Sequence, residues 1–466
     1  LTYLEKPLEN APPMLAFSTV ALGGFRGLIA NYLWIRTNTL QLEGRYFETL
    51  TLAGWITQLQ PRMTDVWVHQ AWNMAYNITR EFDEPHERYL WIDSSIRLLR
   101  DEAIRYNPGE PKLYRELAWF YEDKFGQTLD AEHKYYKQRL ATEMRQLFGR
   151  SVDFEALLDP QTEADRETVR RMKEEYRLDV KWMARVDEEY GPFDWRLPEA
   201  HSVYWAALGL DRSEGSDELI ILRRTIWQSM HAAFKHGRLI ENQIDKTLDF
   251  GPNLDLLAPA HRTYLEMARQ EAEEKDGNAE EMVAYVGQAH RRFLGDAIYF
   301  LFLHNRLPEA LKWFATLKEL YPNAVPENSD VIEFSLNRAT ENVVGGNRDM
   351  VVATIEGTLT SFYMKAAIGE DDAVGYGNLA RDMHERYSGR IYGQKRLMLP
   401  EFNKMRENVL DAILSGGNTR FSVEMRAVLA AMFGKEFKLS EEEAAAIEAR
   451  REAERQEEKR REIERR

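Results

Sequence analysis

RYNPGEPKLYRELAWFYEDKF, residues 105–125, puts a proline at 108 just ahead of a Tyr-x-x-Leu-Ala-x-x-Tyr pattern. Asn107-Pro108 cannot sit inside a helix, because proline lacks the donor and restricts the residue before it. Tyr114, Leu117, Ala118 and Tyr121 then recur at spacings that share one helical face. One helix therefore ends and another begins. The same frame recurs 47 residues earlier, where Trp67, Gln70, Ala71 and Met74 follow Pro61. That proline closes a helix carrying Tyr46, Leu50, Ala53 and Ile56. Ala103 and Pro108 form the corresponding ending before Tyr114, and Ala310, Phe314, Leu317 and Pro322 form a third.

Working outward, almost every apolar segment has helical spacing, and almost none alternates as a strand does. In 217–235, Leu219, Leu222, Ile226, Met230 and Ala233 make one stripe; in 308–321, Leu311, Phe314, Leu317 and Leu320 make another. Gly237 and Tyr321-Pro322 are further helix stops. HSVYWAALGL (201–210) with 217–236 reads as a weaker hairpin. The Gly345-Gly346 and Gly416-Gly417 pairs read as helix breaks. Residues 237–260 read as a structured loop with a short hairpin, and 191–200 as an ordered turn plugged by Trp195. The expected fold is all-α: antiparallel helical hairpins stacked as an irregular solenoid, ending in a long charged helix.

On the ring–Leu–small–ring frame and the proline endings, the chain resembles a degenerate tetratricopeptide-repeat protein over about 43–125 and 282–322. It departs from that family in its 47-residue interval, against about 34, and in insertions at 78–86 and 126–200. Each hairpin has an apolar face that only a neighbour can bury, so neighbours must stack. The resemblance implies a concave groove that binds segments of a partner protein. It places Trp72, after Ala71, and Trp119, after Ala118, in that groove, with Tyr76 and Arg115 at other groove positions. The competing reading makes both indoles core. The expectation is a protein–protein interaction scaffold, its partner unnamed, in a membrane-associated bacterial assembly.

Composition bounds the rest. The net charge of −15 opposes nucleic-acid binding and general adhesion to anionic lipid. With no cysteine, disulfides, Cys-ligated metals and thiol catalysis are excluded. That lack points to an exported, periplasmic protein and also fits a cytosolic one. The apolar stretch 14–35 is interrupted by Arg26, so it holds no uninterrupted apolar run of about 18–20 residues and reads as a buried first helix pair. Its sharper reading is the exit from an upstream membrane anchor. The expected divisions are an N-terminal cap (1–42), hairpins (43–125), a helical region with long inserted loops (126–280), a further hairpin (281–330), a C-terminal helical region (331–438) and a charged helix or tail (439–466). Ser440-Glu-Glu-Glu443 opens that last helix as a capping box, and its ten Glu and eight Lys/Arg leave it at −2.

A search for chemistry finds no zincin, P-loop, nucleophile-elbow or EF-hand pattern. Neither a cofactor nor a metal site is expected. Gly375-Tyr-Gly377-Asn-Leu-Ala380 follows a helix-like stretch, not a strand, so it fails as a dinucleotide fingerprint. His133, His201, His261 and His290 each precede a ring by three residues, the spacing of a helical packing pair or of converging ligands. Asp194 and Glu199, flanking Trp195, are the best acid pair, and the alternative function is an all-α toroid-like carbohydrate-active enzyme using them.

Overall fold

The computed structural model describes residues 26–126, 130, 132–213, 218–241, 248–273, 279–304, 306–326, 329–340, 348–390, 398–416 and 420–437. Its architecture is all-α, with one two-stranded hairpin, β1 (Arg238–Glu241) and β2 (Leu248–Gly251), in the stretch expected to hold one. The charged segment 439–466 and the Gly345-Gly346 pair lie outside the described residues. The contacts divide the chain into two compact units, Leu1–Ile240 with Asp249–Gly287, and Glu241–Leu248 with Gln288–Arg466.

Among the described residues, the first unit opens with α1 (Arg26–Leu42), α2 (Tyr46–Leu59) and α3 (Thr64–Trp72). Ala30 and Leu33 of α1 pack with Ala53, Ile56 and Leu59 of α2 and with Val66 of α3. Of the first helix pair expected over 14–35, residues 14–25 lie outside the described residues; the part within α1 is buried on one face, while Leu28, Tyr32, Ile35 and Leu42 are exposed on the other. Next come α4 (Pro85–Arg97) and α5 (Pro111–Phe120), each opened by a proline whose missing N–H costs a first turn nothing. All three of α3, α4 and α5 run on into a π-helical turn, at Asn73–Asn77, Leu98–Ala103 and Tyr121–Gly126. A short 3-10 turn, Ile78–Glu81, follows the first of them.

The 47-residue frame has a structural counterpart. Trp67 Nε1 donates to the Pro61 carbonyl at 2.9 Å, and Tyr114 Oη donates to the Pro108 carbonyl at 2.7 Å. Each ring thus fastens its helix to the proline stop six residues before it. Asn107 Nδ2 ties the two stops together by donating to the Pro61 carbonyl at 2.8 Å.

After α5 the chain leaves through α6 (His133–Phe148), α7 (Phe154–Leu158), α8 (Glu163–Glu175) and α9 (Val180–Tyr190). The expected long insertion at 126–200 is thus largely helical. Side chains of Asp153, Thr162 and Asp179 cap the starts of α7, α8 and α9. The chain returns in α10 (Pro198–Arg212), which lies directly on α5. Gly209 permits the approach, since a Cβ there would stand 2.7 Å from Tyr114 Cβ. Ser202 Oγ donates to the Ala118 carbonyl across the same contact at 2.9 Å. Helix α11 (Glu218–His236) then pairs with α10, and α12 (Leu257–Glu273) with α11. The stripe Leu222, Ile226, Met230 and Ala233 of α11 is fully buried.

Helix α13 (Ala279–Leu303) precedes α14 (Leu307–Leu320), α15 (Val331–Thr340), α16 (Arg348–Ile368), α17 (Ala373–Arg390), α18 (Phe402–Leu414) and α19 (Val423–Phe433). The second unit closes its own core from Ile355, Leu359 and Tyr363 of α16, Leu379 and Ala380 of α17, Leu410 and Ile413 of α18 and Leu429 of α19. On α14 the stripe differs from expectation. Ala310, Phe314 and Leu317 are buried, while Leu311 and Leu320 face out, so the inward line is displaced from the one spaced on Leu311. Gly375 belongs to packing, not to phosphate binding: a Cβ there would fall on the Leu303 carbonyl oxygen.

Candidate functional site

Trp72, Tyr76 and Trp119, three of the four residues placed in a groove by the sequence, line one pocket of about 410 Å³. Thr79, Arg80, Arg88, Asp123, Lys124 and Asp130 complete its wall. Trp72 sits at the last position of α3, and Tyr76 lies in the π turn beyond it. Asp123 and Lys124 lie in the equivalent turn after α5. A π turn widens the helix by one residue and re-aims the side chains beyond it, which is why such turns recur where side chains must converge.

The aromatic part is rigidly held. Trp72 and Tyr76 stack with centroids 4.3 Å apart and an interplanar angle of 19°, over the buried ring of Phe120. Trp72 Nε1 donates to Glu116 at 2.5 Å. Trp119 Nε1 donates to Tyr76 Oη at 3.1 Å, and that hydroxyl donates to Asp123 at 2.6 Å. Both indole N–H groups are therefore satisfied within the protein. What Trp72 can offer outward is ring surface, 37% exposed. Arg115 does not line the pocket; its guanidinium pairs with Glu116, the carboxylate that holds Trp72.

The charged wall is largely self-neutralised. Arg88 Nη2 lies 3.1 Å from both oxygens of Asp130, and Lys124 Nζ lies 3.4 Å from one of them. Lys124 also sits 4.1 Å over the Tyr76 ring, a cation–π contact. Burial pulls the Lys124 ammonium below its usual pKa, with Asp130 opposing that shift. Burial, reinforced by Asp123, pushes the Tyr76 phenol far up, so it stays a neutral donor. Arg80 is exposed at the mouth. The arrangement offers no activated nucleophile. It offers a rigid aromatic surface with cations at its edge.

Sequence reasoning missed Arg80, Arg88, Asp123, Lys124 and Asp130. One signal was available. Tyr76 and Asp123 are 47 residues apart, as are Asp65 and Lys112, and each pair is joined, by Tyr76 Oη and by an ion pair at 2.5 Å. Residues 47 apart on α3 and α5 and their π turns thus meet side by side.

The other sequence candidates lie elsewhere. Asp194 is bound bidentately by Arg196 at 2.7 Å and accepts from the Leu239 N–H at 3.0 Å. It borders a second pocket of about 240 Å³ that Glu199 does not line. Glu199 is buried on α10 and paired with the buried Lys137 at 2.5 Å. The two carboxylates are thus held by separate cations. Trp195 is buried as expected, its indole donating to Asp187 at 2.8 Å.

Three of the four histidines bond named groups of the protein. His133 bonds the Asp130 carbonyl, His201 the Trp195 carbonyl, and His290 the Tyr321 hydroxyl. His261 is half-buried, which lowers its pKa. Among the described residues the one set of three or more clustered ligand types is Glu370, Asp371 and Asp372. Lys365 Nζ lies 2.9 Å from Asp372, so that cluster already has a cation. Among the described residues no helix is long and apolar enough to cross a membrane.

The chain matches no protein-family model, no curated protein and no solved structure.

Proposed function

We propose that this chain is a helical-repeat scaffold of tetratricopeptide type, and that the pocket of Trp72, Tyr76 and Trp119 receives a segment of a partner protein. The observation that carries the reading is the convergence of these three rings on one open pocket with both indole N–H groups already bonded. Tryptophan and tyrosine in such a setting are the residue types that dominate binding energy at interfaces. The repeated ring-to-proline bonds of α3 and α5 support the repeat assignment. In this reading the mechanism is static: stacked helices hold the rings so that little side-chain entropy is lost on binding. We place the scaffold in a membrane-associated bacterial assembly on the periplasmic side, following the lack of cysteine.

The test is a quantitative pull-down from native membranes with the full chain, Trp72→Ala and Trp119→Ala, each checked by circular dichroism. A stoichiometric partner should weaken by about 2 kcal/mol or more with either variant while the fold survives. Trp72→Ala also strips Glu116 of a donor, at about 1 kcal/mol of stability. If the folded variants retain the partner unchanged, the pocket is not the docking site. If Trp72→Ala unfolds the chain, its ring is core, and the groove assignment fails.

A further inference from the structure

Helix α1 is apolar on two opposite faces. One face, through Ala30 and Leu33, closes the core with α2. On the other, Leu28, Tyr32, Ile35 and Leu42 are 64%, 69%, 67% and 91% exposed. Their spacing, i, i+4, i+7 and i+14, sets them in one straight stripe along the helix. A helix that is apolar all round is normally buried all round. A helix face left open to water is normally polar. Among the described residues, the exposed stripe of α1 departs from that pattern.

The charge pattern says what covers it. Between Glu9 and Glu43 there is no acidic residue, and the only charges are Arg26 and Arg36. Elsewhere the chain is rich in acids, 77 in 466 residues, or about one in six. A stretch of this length would ordinarily carry about five of them. Contact with an uncharged apolar surface demands no such clearing. An anionic surface does, since each acid held against it would be repelled. A long apolar stripe, an exposed tyrosine on it, arginine as the only charge type and no acid are together the features of a helix lying in a lipid interface.

We propose that α1 is a membrane-docking helix: its Leu28–Tyr32–Ile35–Leu42 face lies on an anionic lipid bilayer. The chain-wide charge of −15 works against general adhesion of the rest of the molecule to such a surface, so this face also sets the orientation of the molecule on it. The docking is interfacial, along the surface and not across it. It is independent of the pocket, which lies on α3 and α5 and their π turns.

The test uses the full chain with sucrose-loaded vesicles of phosphatidylcholine, with and without phosphatidylglycerol, read by cosedimentation. The comparison variant is Leu28→Glu/Ile35→Glu, with Leu28→Ser/Ile35→Ser carrying the same test should the glutamates unfold the helix. The wild type should sediment with the phosphatidylglycerol vesicles and less with phosphatidylcholine alone. The double variant should lose at least about tenfold in partition, since two aliphatic side chains no longer leave water. Wild type that stays in the supernatant overturns the proposal, and so does a folded variant that binds as well as wild type. So does light scattering that shows a dimer which the variant dissociates, because the stripe is then the seam between two copies.

Discussion

The Tyr76 hydroxyl is the smallest group on which the pocket depends. It accepts from Trp119 Nε1 and donates to Asp123, so it fixes one indole and one carboxylate at once. Tyr76→Phe keeps the stack on Trp72 and removes both bonds. It should cost about 1–3 kcal/mol, read as a lower urea midpoint at unchanged slope. An unchanged midpoint would mean that water replaces the hydroxyl freely and that the rings are not locked. His201 makes a second prediction at this scale. Its ring stacks on Tyr121 with centroids 5.2 Å apart, and burial pulls its pKa from 6.5 to about 4. The folded state therefore holds it neutral, whereas the unfolded chain protonates it near its ordinary value. Its contribution is fully present above pH 6.5 and is lost as pH falls from there to about 4, by about 3 kcal/mol. His201→Gln should flatten the fall in stability over that window, seen in denaturation midpoints taken along it. An undiminished slope would assign the effect to other groups, such as His236, which burial and Lys137 also hold at about 4.

At the scale of the element, two glycines decide how closely helices approach. Gly209 of α10 faces Tyr114 of α5, and Gly375 of α17 faces the Leu303 carbonyl at the end of α13. In an isolated helix, glycine to alanine would be stabilising by roughly 1 kcal/mol. Here a methyl meets the Leu303 backbone or the Tyr114 Cβ, and overpacking of that kind costs about 1–3 kcal/mol. Both Gly209→Ala and Gly375→Ala should therefore lower the melting temperature, against the propensity. A rise in either would show that the neighbouring helix shifts without strain. The same close approach explains why Gly375-Tyr-Gly377 imitates a dinucleotide fingerprint in sequence. Glycine suits a helix crossing for the reason that it suits a pyrophosphate, which is the lack of a side chain.

At the scale of the whole molecule the two units each close a core of their own. Units with separate cores unfold in separate steps when little couples them. Gly209→Ala lies in the first unit and Gly375→Ala in the second, so calorimetry should show each variant displacing a different transition. A single transition displaced by both would mean that the units unfold together.

Helices, their proline stops and most of their inward stripes were legible in the sequence, because backbone chemistry and a 3.6-residue period act locally. Phe314 and Leu317 were legible for that reason, and so was the equal register of Trp72 and Trp119. Leu311 was misjudged, because adjacent positions on a helix share most of their neighbours and only the opposing element chooses between them. The π turns that carry Tyr76, Asp123 and Lys124 were invisible, since no residue type demands them. Arg88 and Asp130 were invisible as well, because they reach the pocket from α4 and from beyond the π turn after α5, where no helical period links them to the rings. By itself, then, the sequence determined the all-α class and the proline-bounded helices. Tertiary structure alone decided that α10 returns to α5, which charges surround the rings and which face of α1 stays open. Those outcomes depend on which surfaces meet, and a one-dimensional pattern does not contain that.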